Sequence, residues 1–195
     1  MSSSEASGEL ASVSLEEYRS LRATIQHRGT LRIAIALLTW SVWAVTTLWC
    51  LTNGAMPLAG AISLLVLAGG FELVLALHTG VERIGRYVQV AYETGLAQLP
   101  AWEHVAMTVG PRWLSPGGLD PLFAWVFLLA AFANLLPSLT ETSVDVASAV
   151  VIHAAFGIRV LLARRFAAKQ RAHDLEALKQ VISSNALVSR IQQPE

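Results

Sequence analysis

Charge is what this chain has least of: 14% of its 195 residues are Asp, Glu, Lys or Arg, against 54% hydrophobic residues, and the mean hydropathy is +0.51. That balance excludes an ordinary water-soluble domain and points to a membrane protein. Cysteine is almost missing too. Cys50 stands alone, so it has no intrachain disulfide partner, and no Cys/His grouping has zinc-site spacing. There is no Walker-type glycine loop, no glycine-rich dinucleotide turn after a strand, no HExxH and no nucleophile elbow. No convergent catalytic set can be named, and the reading is of a non-enzymatic protein without a cofactor or metal.

What is there is a series of apolar runs. Crossing roughly 30 Å of hydrocarbon takes about 20 helical residues, and such runs occur at 33–51, 58–79, 119–139 and 144–163. The first two are separated by "TNGAMP" and the last two by "TETS", both short and turn-forming. The expected fold is therefore an all-α integral membrane protein with four transmembrane helices arranged as two antiparallel hairpins. Residues 1–30 carry Glu5, Glu9, Glu16, Glu17, Arg19, Arg22 and Arg28, too much charge over too long a stretch for a cleaved signal peptide. The first run is expected to be a retained span.

Net charge is zero, but the distribution of charge is informative. Arg19, Arg22, Arg28 and Arg32 precede the first span, and Arg83, Arg86 and Arg112 lie between the second and third. Arg159, Arg164, Arg165, Lys169, Arg171, Lys179 and Arg190 fall at or after the end of the fourth, while the two short loops hold no basic residue. Basic residues are retained on the cytoplasmic side of short loops. Both termini and the 80–118 connector are thus expected in the cytoplasm of a cell with an inner (plasma) membrane.

Helices 1, 2 and 4 should extend past the bilayer. Ser14 before "LEE" has the form of a capping box, with Glu17 at its third helical position. Residues 1–13 read as a disordered tail, 14–163 as the membrane domain with its extensions, and 164–195 as a cytoplasmic helix with a frayed end. No proline falls between Pro57 and Pro100, so the second helix could reach about 60 Å. In 164–195, Leu175, Leu178 and Ile182 share one face. The segment around Trp102 and Trp113 reads as a short helix from Pro100 at the membrane interface.

Ionisable residues inside spans are costly and normally face protein or water. Glu72 sits about 12 Å from the inner end of its span and His153 about 15 Å from the inner end of its own, whereas His78 is about 3 Å from the boundary. Depth therefore pairs Glu72 with His153, as a proton-linked pair or as an interhelical hydrogen bond fixing helix register. His78 instead opens a stripe with Glu82, Arg86, Gln89 and Glu93, read as a solvated or partner-facing edge in which Glu82 precedes Arg86 in the favourable i to i+4 order. Bis-histidine haem is disfavoured because His78 and His153 differ in depth by about 12 Å. Arg164, Arg165, Lys169 and Arg171 would meet anionic lipid headgroups rather than nucleic acid. Trp40 and Trp43 read as packing residues, and Gly60, Gly69, Gly70 and Gly80 as places of close helix approach. The expected role is a homo-oligomer or a subunit of a membrane complex, acting through its cytoplasmic helices. The alternative is a small ion channel or proton-coupled transporter using Glu72 and His153.

Overall fold

The computed structural model describes residues 3–53, 59–93, 121–140 and 143–191, and all regular structure among them is helical. The helices are α1 (Ser3–Thr52), α2 (Ala59–Val88), α3 (Pro121–Leu135) and α4 (Ser143–Ile191). α2 continues as a π-helical turn, Gln89–Glu93, and α3 as a 3₁₀ segment, Leu136–Thr140. Among the described residues, four helices are long and apolar enough to cross a membrane. The chain is a helical-bundle membrane protein.

Local sequence explains most of the helix ends. Asn53 terminates α1: its backbone N–H and its Nδ2 both donate to the Trp49 carbonyl, at 3.1 and 2.9 Å, satisfying one of the orphan acceptors of the last turn. Pro121 opens α3, where its preset φ suits the first turn and its missing N–H costs no bond. Pro137 lies in the segment that tightens to 3₁₀, since a proline there removes one i→i−4 bond and crowds the preceding turn. Asp145 in the first turn of α4 complements the helix dipole. The N-terminus departs from expectation. α1 is helical from Ser3, so it covers most of the segment read as disordered, and Ser14 is an interior position rather than an N-cap. The expected interfacial helix with Trp102 and Trp113 lies outside the described residues.

α2 is the central helix, packing on α1, α3 and α4. The core is apolar and aromatic. Phe71 of α2 meets Phe127 of α3 and Phe156 of α4 edge-on, with centroids 5.4 and 6.0 Å apart, and Trp40 of α1 joins Phe127 at 5.9 Å. Such tilted and T-shaped pairs set ring edges against ring faces. Leu67, Phe71, Val74 and Phe127 are completely buried. α1 and α2 touch along most of their length, with Thr39 against Gly70, Arg32 against His78, Arg28 against Gly80 and Glu17 against Tyr87. A Cβ at Gly70 would strike the Thr39 side chain, so this glycine is required by the close approach. Gly69 has open space where its Cβ would be and is not such a position.

Candidate functional site

Four helices meet at one amide. Asn134, near the end of α3, is buried. Its Nδ2 donates to the Gly60 carbonyl of α2 at 2.8 Å and lies 3.1 Å from Nε2 of His153 on α4. Its Oδ1 accepts from Trp43 Nε1 of α1 at 3.4 Å. His153 Nδ1 lies 2.7 Å from the Ala149 carbonyl, which can only accept, so this nitrogen carries the proton and Nε2 accepts from Asn134. The ring is the neutral Nδ1–H tautomer, with both nitrogens engaged. Chemically the cluster is a closed hydrogen-bond network that fixes the relative register of the helices.

Glu72 is elsewhere. Its Oε2 accepts from Arg159 Nη2 at 2.8 Å, an α2–α4 ion pair with side chains 48% and 45% exposed on the outside of the bundle. The expected Glu72–His153 pair is therefore corrected: Glu72 turns outward to Arg159, while His153 turns inward to Asn134. Depth counted along each run did not resolve this: Asn134 joins His153 to Gly60, twelve residues before Glu72 on α2, while Glu72 meets Arg159, six residues beyond His153 on α4. Along α2, Leu67 and Phe71, both fully buried, fall between Gly60 and Glu72 in the sequence.

The stripe beginning at His78 also differs from its reading. His78 and Arg86 are buried, at 6% and 3% exposure, so this edge turns into the protein rather than into solvent. His78 Nδ1 lies 2.9 Å from Arg32 Nη1; since guanidinium only donates, this nitrogen accepts. Arg32 also sits 5.0 Å over the Phe123 ring. Arg86 Nη2 donates to Asp174 Oδ2 of α4 at 2.9 Å and its Nη1 is 3.6 Å from Glu82 Oε2, with Arg83 Nε adding a longer contact to Asp174 at 3.7 Å. A small cavity of about 10 Å³ is lined by His78, Thr79, Glu82, Arg86, Ala167 and Gln170. Gln89 is half-buried at the end of the stripe, and the side chain of Glu93 lies outside the described residues. The edge is covered because α4 continues beside α2 past the apolar runs. Of the basic group on α4, Arg165 and Lys169 are exposed and Arg164 and Arg171 half-buried.

All three tyrosines of the chain gather where α1 and the end of α2 meet. Tyr92 lies 5.5 Å from Tyr18 and 6.1 Å from Tyr87, centroid to centroid, and Tyr87 Oη donates to Glu17 at 3.1 Å. Arg22 Nε donates to the Tyr18 hydroxyl at 3.0 Å. Partial burial, and then the Glu17 carboxylate, push the Tyr87 and Tyr92 phenols above the usual tyrosine range.

The sequence places Arg159 in the basic flank of the fourth run and Asn134 among the polar residues suited to an interhelical hydrogen bond, and it gives Asp174 no role. Arg159 was recoverable: it is the one basic residue within the fourth run, as Glu72 is the one acid within the second. Asp174 carried no comparable signal, being one acid among many charges on a solvated-looking helix. Comparison with known protein families, curated proteins and solved structures finds no match.

Proposed function

We propose that this protein is a multi-pass inner-membrane subunit, non-enzymatic, that assembles with its own copies or a partner complex through helices reaching into the cytoplasm. In this reading the four spans form two antiparallel hairpins, with both termini and the 80–118 connector on the cytoplasmic side, where Lys and Arg accumulate. The observation that carries it is the distal part of α4. The helix runs to Ile191, which is 28 residues past the apolar run ending at 163 (191 − 163), or about 42 Å. An ion pair ties it to α2 at Asp174. Beyond that point Leu175, Leu178 and Ile182 are only half-buried and Val181 is 56% exposed. A helix in water has no lipid to cover such a stripe, so another helix is its natural cover. Arg165 and Lys169, exposed just beyond the fourth run, suit anionic headgroups.

The channel or transporter alternative needs a polar route joining Glu72 and His153. No observation favours it, since Glu72 pairs with Arg159 and His153 with Asn134 and the Ala149 carbonyl.

The test is self-association or co-purification of the full chain in lipid nanodiscs. Wild type is expected to carry a second copy or a stoichiometric partner, and Leu178→Glu with Val181→Glu to lose it while keeping its helicity. A monomeric wild type without companions, or variants that associate unchanged, would overturn the proposal.

A further inference from the structure

An ion pair on the outside of a membrane bundle needs a cover that hydrocarbon cannot supply. Glu72 and Arg159 form such a pair, nearly half exposed, within the second and fourth apolar runs. Their remaining hydrogen-bonding capacity is large: guanidinium offers five N–H donors and a carboxylate about four acceptor positions. The pair closes one end of an open groove of about 420 Å³ between α2 and α4, otherwise lined by apolar residues including Ala61, Leu65, Ala68, Ile152 and Ala155. The small alanine side chains among this lining permit close helix approach. Leu65, 71% exposed, stands at the groove as a protruding knob.

We infer that this groove is the intramembrane interface between two copies of the chain, in which the Glu72–Arg159 pairs of both copies join into one four-group cluster. The argument is symmetry. The patch carries one positive and one negative group and is charge-complementary to itself. Both groups lie at one depth, because they touch. A two-fold rotation about the membrane normal keeps that depth and reverses left and right between facing surfaces. Each carboxylate is thereby set opposite the guanidinium of the second copy. Acyl chains match the apolar walls but not the charges, and an unrelated helix would have to bring both signs at the right depth. The second copy brings both by construction. The inference rests on the self-assembly branch of the proposal above but places the contact in the membrane, independent of the α4 extension.

The experiment uses two differently tagged full-length chains, co-expressed and pulled down from lipid nanodiscs. Glu72→Arg alone places two cations on the patch and Arg159→Glu alone two anions, so each should lower self-association by about tenfold or more. Co-expressing the two variants should restore pull-down, because the cationic patch of one copy then faces the anionic patch of the other. The double variant, with the charges exchanged, should self-associate like wild type and serves as the folding control. Independently, in a Cys50→Ala background, Leu65→Cys should form crosslinked dimers in native membranes, while Phe132→Cys on α3, similarly exposed at 62%, should not. The inference is overturned if mixing the singles restores nothing while the double variant folds, or if Leu65→Cys crosslinks no more than Phe132→Cys. Either result would mean that lipid or an unrelated helix covers the groove. If the singles fail to fold, the crosslinking comparison alone decides. Association abolished by Leu178→Glu but indifferent to the charge variants would refute the intramembrane interface and leave the α4 proposal standing; the reverse pattern would do the opposite.

Discussion

Asn134 has two N–H groups and one carbonyl oxygen, and each serves a different helix. Its donors reach Gly60 and His153 and its acceptor takes Trp43. Only a carboxamide supplies two donors and an acceptor in this fork, which is why the neighbouring threonines could not replace it: Thr39 and Thr46 bond back to the carbonyls of Ile35 and Val42. Asn134→Ala should leave the Trp43 N–H and His153 Nε2 without their partner. A buried polar group stranded in this way costs about 1–3 kcal/mol, although membrane contacts fall toward the low end, so a loss of about 2 kcal/mol is expected. Asn134→Asp should be worse, because it turns an oxygen toward both the Gly60 carbonyl and His153 Nε2. Thermal or denaturant unfolding in one detergent would check the order. An aspartate variant as stable as wild type would contradict the assigned hydrogen-bond directions.

Between elements, closeness is set by a few positions. Gly70 lies under Thr39, whose β-branched side chain is already held by its bond to the Ile35 carbonyl, whereas the adjacent Gly69 faces open space. Gly70→Ala should therefore separate α1 from α2 and cost about 2 kcal/mol by overpacking. Gly69→Ala, one residue away, should be neutral or slightly stabilising through helix propensity. Thr39→Ala should partly rescue Gly70→Ala and do nothing for Gly69→Ala; stability measured across this set would detect the coupling as non-additivity. Equal effects at the two glycines would reject the packing. The apolar runs themselves were legible, since about 20 residues without water-compatible side chains have few alternatives to a span. Which glycine faces a neighbour was not. Gly69 and Gly70 are identical in composition and differ only by about 100° of helix rotation, which becomes decisive once the position of α1 is known.

At the scale of the whole molecule, the same gap between composition and direction explains the polar edge of α2. The spacing of His78, Glu82 and Arg86 placed them together on one face, and the Glu82–Arg86 contact exists at 3.6 Å. Exposure depended on something no local pattern contains: whether α4 stays beside α2 beyond the apolar runs. It does, and Asp174 meets an Arg86 that is 3% exposed. This contact ties the extension of α4 to α2, so its energetics bear on how firmly that extension is held. Removing one partner of a buried ion pair leaves a charge without its counterion, at a cost of about 3–5 kcal/mol, while replacing both by apolar side chains of similar size is often neutral or stabilising. Glu82 and Arg83 remain to soften the loss, so Asp174→Ala is expected near the lower figure. Arg86→Met combined with Asp174→Leu should return to within about 1 kcal/mol of wild type, since Arg86 is already buried and the buried Ala167 lines the cavity beside it. Arg165→Ala, on an exposed side chain of the same helix, should change stability by no more than about 0.5 kcal/mol. Limited proteolysis of α4 beyond Arg171, followed alongside unfolding, separates local release from global loss. Asp174→Ala should expose that stretch to cleavage before the bundle melts, and the apolar double variant should protect it again. Were Asp174→Ala to behave like Arg165→Ala in both measurements, the α4 extension would not be held to α2 by this charge.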